Sequence, residues 1–99
     1  MSISAAYISE MCRAVRVSET ETSTEEITEL IEAAAADLSR QGVDTIDLDD
    51  PLTKQAVKLY CKAHYGYDNN TERFDAAYVS LSAAMSLCGD YDEDGDPNA

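Results

Sequence analysis

Asp50-Pro51-Leu52-Thr53-Lys54-Gln55-Ala56-Val57-Lys58-Leu59-Tyr60-Cys61-Lys62-Ala63-His64-Tyr65-Gly66 is the stretch that decides the fold class. Aspartate followed by proline is a helix start. The carboxylate accepts hydrogen bonds from first-turn N–H groups, and proline at the first helical position supplies a preset φ where no donor is needed. Leu52, Ala56, Leu59, Tyr60 and Ala63 return at three- and four-residue steps and make one apolar side. Lys54, Lys58 and Lys62 are spaced by four and make the other side. Gly66 stops the pattern, so the spacing predicts a helix over 51–65.

The same logic extends both ways along the chain. Ser2 is a candidate cap for a helix over 3–16, whose apolar stripe is Ile3, Tyr7, Met11, Ala14 and Val15. Ser23 with Glu26 three residues on matches a capping box and predicts a helix over 24–41. Its core stripe is Ile27, Leu30, Ile31, Ala34 and Leu38, with Gly42 as the stop. Residues 43–50 are expected to form a loop or a short extended piece. Asn69 with Glu72 caps a fourth helix over 70–88, with Phe74, Ala77, Tyr78, Leu81, Met85 and Cys88 inward and Gly89 at its end. No strand-like alternation competes with this reading. The expected architecture is all-α: a compact bundle of about four helices in one domain spanning 1–89. Residues 90–99 are expected to be a flexible acidic tail.

A chain of 99 residues is one domain at most. At this size only about 60–65% of the unfolded surface is buried, so association helps a thin core. The net charge of −13 argues against a nucleic-acid footprint, which needs a basic surface to displace counterions, and against adsorption to an anionic membrane. No apolar run is long enough to span a bilayer, and the first residues lack the basic-then-apolar pattern of a secretory signal. The acidity is uneven. Residues 18–50 carry eleven acids against Arg40, and 90–99 carry five acids, whereas 1–17 and 51–89 are each near neutral.

Little here suggests chemistry. Cys12, Cys61 and Cys88 form no C-x-x-C pair and are expected to be reduced thiols that pack as small hydrophobes. His64 is the sole histidine, and a Cys61/His64 pair on one helix has neither an orienting third group nor an oxyanion hole. Asp90-Tyr91-Asp92-Glu93-Asp94-Gly95 matches the first half of a calcium loop, but the bidentate acid required at loop position twelve falls beyond the last residue of the sequence. No catalytic, cofactor-binding or metal-binding residue is expected. The informative feature is the fourth helix. From Ala76 to Gly89 it has no charged residue, and its side opposite the core holds Ala76, Ser80, Ala83 and Ser86, flanked by Val79 and Leu87. A solvated helix face in so acidic a chain would carry charge. This one is expected to be a subunit contact, with a centrally buried fourth helix as the alternative.

The helix Ser23-Thr24-Glu25-Glu26-Ile27-Thr28-Glu29-Leu30-Ile31-Glu32-Ala33-Ala34, then Leu38, Gly42-Val43, the Asp50–Gly66 stretch, Asp68-Asn69 and the segment from Phe74 to Leu81 resemble the small head–tail connector proteins of long-tailed bacteriophages. These are also called DNA-packaging or head-completion proteins. The resemblance covers about residues 20–91 and rests on an L-I-x-x-A helix, a D-P-L-x-x-Q-A-x-x-x-Y helix and an aromatic turn. It implies a structural, non-enzymatic homo-oligomer. It implies that the subunits form a ring, commonly of about twelve, under the portal protein, closed by head-to-tail contacts. The ring extends the DNA channel and docks the next tail-side protein. It also implies a place in the virion neck, with the host cytoplasm as the site of assembly, and genomic DNA only as passing cargo. A head-to-tail ring needs two different side faces. Lys54, Lys58 and Lys62 are candidates for one, and Glu25, Glu29, Glu32 and Asp37 for the other. Tyr60, Tyr65 and Tyr67 are candidate anchors, beside Ala76, Ser80 and Ala83. The rival reading is an acidic regulatory module that covers a partner's basic surface as a monomer or dimer. Light scattering over a range of concentrations separates the two: a higher oligomer favours the ring. If the lysine stripe is the seam, charge reversal at Lys58 disrupts assembly; unchanged assembly counts against that pairing.

Overall fold

The computed structural model describes residues 3–43, 46–65 and 71–87. Four helices follow in order: α1 (Ala5–Ala14), α2 (Glu21–Arg40), α3 (Pro51–Tyr65) and α4 (Thr71–Ser86). There is no strand among the described residues, so the all-α expectation holds. Ser2, Asn69, Cys88, Gly89 and the acidic tail 90–99, with its partial match to a calcium loop, lie outside the described residues.

α1 begins later than expected. Ser4 Oγ accepts from the Tyr7 N–H at 3.1 Å and caps it. At its other end Arg16 takes a left-handed φ of 60°, and the Val17 N–H reaches the Cys12 carbonyl at 3.0 Å. α2 begins earlier than the sequence suggested, capped by Thr20 rather than Ser23. Ser23 instead occupies the reciprocal position. Thr20 Oγ1 accepts from the Ser23 N–H at 3.1 Å, and Ser23 Oγ accepts from the Thr20 N–H at 2.9 Å. Two hydroxyls three apart therefore do what Ser23 and Glu26 were expected to do. Ser23 Oγ also donates to the Ser18 carbonyl at 2.6 Å, which leaves this buried hydroxyl well satisfied.

α2 ends as expected at Gly42. Its φ of +105° is left-handed, and the following Val43 N–H returns to the Leu38 carbonyl at 3.0 Å. Val43 is then fully buried against Leu38's cluster, the hydrophobic contact that accompanies this type of helix end. α3 matches its expected span. Asp50 Oδ2 accepts from the Leu52 and Thr53 N–H groups at 3.1 and 3.0 Å.

α3 is the hub. It packs on α1, α2 and α4, most extensively on α4, while α1 and α2 also touch each other. Two apolar clusters lie on either side of it. Met11, Cys12, Ile27, Ile31, Val57 and Cys61 belong to one. Leu38, Val43, Ala56, Tyr78 and Met85 form the other. The inward arc of α3 is therefore rotated from the expected stripe: Thr53, Ala56, Val57 and Cys61 are buried, whereas Leu52 is 48% exposed. A helix enclosed on three sides needs a broader arc than a single stripe. In α4 the inward residues are Tyr78, Ser82 and Met85, with Phe74 and Leu81 half-buried, and Ala77 faces out.

Ile31 is fully buried, so Ile31→Ala is expected to cost about 2–5 kcal/mol in denaturant unfolding. Gly42→Ala places a Cβ where φ is +105° and is expected to cost about 1–2 kcal/mol, although the nearest side-chain atom, Ser86 Cβ, leaves room at 3.8 Å.

Candidate subunit-contact surface

Charged side chains come first, because in a chain of −13 they decide where a second protein can approach. The lysine side of α3 is occupied from within the subunit. Lys54 Nζ and Lys58 Nζ both lie near Glu10 Oε2, at 3.5 and 3.6 Å. All three side chains are about one-third exposed. Lys54 Nζ also sits 5.5 Å from the centre of the Tyr7 ring, and Lys62 Nζ is 5.3 Å from that of Phe74. The stripe that looked available in the sequence thus fastens α3 to α1 and covers aromatic faces.

The acids split into two groups. Glu25, Glu29 and Glu32 are exposed along the outer side of α2. Asp37 is committed inward. Tyr78 OH donates to its Oδ2 at 2.5 Å, Gln41 Nε2 donates to the same oxygen at 2.7 Å, and Arg40 pairs with Oδ1. Burial alone would raise this carboxyl, but the bonds from Tyr78 and Gln41 and the charge of Arg40 outweigh it and hold the group below its usual 3.8. The same contact, added to burial, pushes the Tyr78 phenol up. Ser82 Oγ donates to Gln41 Oε1 at 3.0 Å, so two turns of α4 are pinned to the end of α2.

The tyrosines also divide. Tyr60 is half-buried and braces the interior, edge-on to His64 at 4.0 Å and to Tyr78 at 5.1 Å between centroids. Tyr65 lines a groove of about 350 Å³ between α2 and α3, with Glu26, Glu29 and His64. Tyr67 lies outside the described residues. Cys12 and Cys61 are fully buried core groups, and burial pushes the Cys61 thiol up to about 12. Among the described residues, no set of three or more His, Cys, Asp or Glu side chains is arranged to hold a metal ion. No described helix is long and apolar enough to cross a membrane.

The outer face of α4 remains open. Ala76, Ser80 and Ala83 are exposed, Ser86 is half-buried, Val79 is 53% exposed and Leu87 is 87% exposed. The alternative of a centrally buried fourth helix is corrected here, since the central place belongs to α3. A second uncharged area lies on α2, where Ala35, Ala36, Ser39 and Ile46, with Glu32 at the edge, line a shallow groove of about 320 Å³. The sequence reading did not single out this groove, because Ile46 reaches it from a loop. It also missed Glu10 as the holder of two lysines. Neither has a local periodic signal.

This is a small helical protein with an exposed, uncharged side on α4 from Ala76 to Leu87. A family model described as "Phage connector protein" matches residues 8–92, which is most of the chain, and the chain belongs to that family. The match begins well before the expected residue 20 and takes in α1 from Ile8 onward. No curated protein and no solved structure matches the chain. Membership of this family points to a structural, non-enzymatic role in a phage particle.

Tyr78→Phe removes a donor to a charged carboxylate and is expected to cost about 1.5–3 kcal/mol at neutral pH. A depressed carboxyl contributes stability above its unfolded value and loses it as pH falls through the folded value. The gap between Tyr78→Phe and wild type, measured by urea unfolding, should therefore narrow below about pH 4.

Proposed function

We propose that this chain is a head–tail connector subunit of a phage neck. Copies assemble into a ring beneath the portal protein, extend the channel through which the genome passes, and dock the next tail-side protein. Family membership supports the connector role. The single structural observation that carries the self-assembly is the charge-free outer face of α4, open to solvent in a lone subunit of net charge −13. Two strongly acidic copies approach each other at least electrostatic cost where neither presents charge.

The acidity has a role of its own in this reading. DNA must pass a neck without sticking to it. A lining that carries carboxylates repels phosphates and lets the genome slide, whereas a basic lining would hold it by counterion release. DNA is then cargo and not a ligand, which fits a chain with 20 acidic and 7 basic residues.

The test uses phage particles. In particles made without this protein, filled heads should accumulate without joined tails, and supplying the wild-type chain should restore joining. Antibody labelling of intact particles should mark the neck. Labelling confined to the tail tip, or normal tail joining without the protein, would end this reading.

A further inference from the structure

We infer that self-association of this chain is gated by ionic strength: like charge holds the copies apart in dilute salt, and screening lets them join. This inference rests on the ring reading above and adds its regulation.

The balance of charges decides the sign, whichever faces meet. The chain has 20 acidic and 7 basic residues. Every one of those cations lies among the described residues. Lys54 and Lys58 share Glu10, Arg40 pairs with Asp37, and Lys62 lies over the Phe74 ring. Arg13, Arg16 and Arg73 are exposed and have no ion-pair partner among the described residues. A neighbouring copy is therefore offered few cations and many carboxylates. Pairing between identical copies also removes no net charge, so each copy brings its full −13 to the contact. Two copies meet net repulsion in any register and on any side.

The attraction that opposes this repulsion has a different range. The side of α4 from Ala76 to Leu87 carries no charge. What it offers a second copy is apolar area, at Val79 and Leu87 above all, and burial of such area acts only in contact. The repulsion reaches further. Glu25, Glu29 and Glu32 are exposed along α2, and they act on a neighbour through solvent over about one Debye length. That length is about 30 Å in 0.01 M salt, roughly three helix diameters, and about 8 Å in 0.15 M salt, less than one. Salt therefore removes the long-range repulsion and leaves the apolar contact in place. The opposite sign holds for a seam of lysines on carboxylates, and for an acidic module on a basic partner, since both weaken as salt rises.

Light scattering over a range of protein concentrations, repeated at several sodium chloride concentrations, reads the effect. Between about 0.01 and 0.15 M salt, the protein concentration at half-assembly should fall about tenfold or more. A second measurement avoids changing the salt. The triple variant Glu25→Gln, Glu29→Gln and Glu32→Gln removes three exposed carboxylates and keeps good helix formers. In about 0.01 M salt it should assemble at a lower concentration than wild type, and the gap should narrow in about 0.15 M salt. Circular dichroism should show the same helix content for both chains at each salt concentration. The inference is overturned if wild-type assembly weakens or stays constant as salt rises, if the triple variant assembles no better than wild type in dilute salt, or if wild type is monomeric under every condition. Neck labelling of particles is a separate readout, so failure of this gating and failure of the connector reading are distinguishable.

Discussion

Enclosure of α3 by the other three helices is the constraint from which the rest of the structure follows. Thr53, Ala56, Val57 and Cys61 are all fully buried, and the two apolar clusters meet on opposite sides of this one helix. Because α3 takes the centre, α1, α2 and α4 are each left with one inward face and one outward face. In α1 and α2 the outward face is solvated by charge or hydroxyl groups over much of its length. In α4 charge is confined to the first turns, at Glu72, Arg73 and Asp75, and the outward side from Ala76 to Leu87 carries none.

The polar contacts serve the same arrangement. Glu10 draws Lys54 and Lys58 together across the α1–α3 contact, and Asp37 collects Tyr78, Gln41 and Arg40 at the α2–α4 contact. Each spends charges that a reading of isolated helices assigns to the outside. The effect is to engage Arg40, Lys54 and Lys58 within the chain, while Glu25, Glu29 and Glu32 and the arginines Arg13, Arg16 and Arg73 have no ion-pair partner among the described residues.

Much was legible in the sequence. Capping chemistry and three- to four-residue apolar spacing placed four helices with boundary errors of a few residues, because hydrogen bonding at helix ends and amphipathic spacing are local. α3 was placed to the residue, since Asp50 and Pro51 constrain one end tightly. The start of α2 was misplaced because Thr20 and Ser23 are both able caps, and only the packing of a buried Ser23 selects between them. The outward, uncharged side of α4 was also legible, since an absence of charge over fourteen residues needs no partner to be seen.

The sequence by itself therefore determined the helices, their order, the all-α class, the acidity that argues against a nucleic-acid footprint, and the likeness to connector proteins. Tertiary structure alone decided which helix is central, which charges are consumed inside the subunit, and how Ile46 joins Ala35 and Ala36 in one groove. The physical reason is range. Caps and amphipathic stripes are set by residues within a turn or two of each other. Glu10 meeting Lys54, or Asp37 meeting Tyr78, depends on how whole helices pack, and no periodicity along the chain encodes the partner.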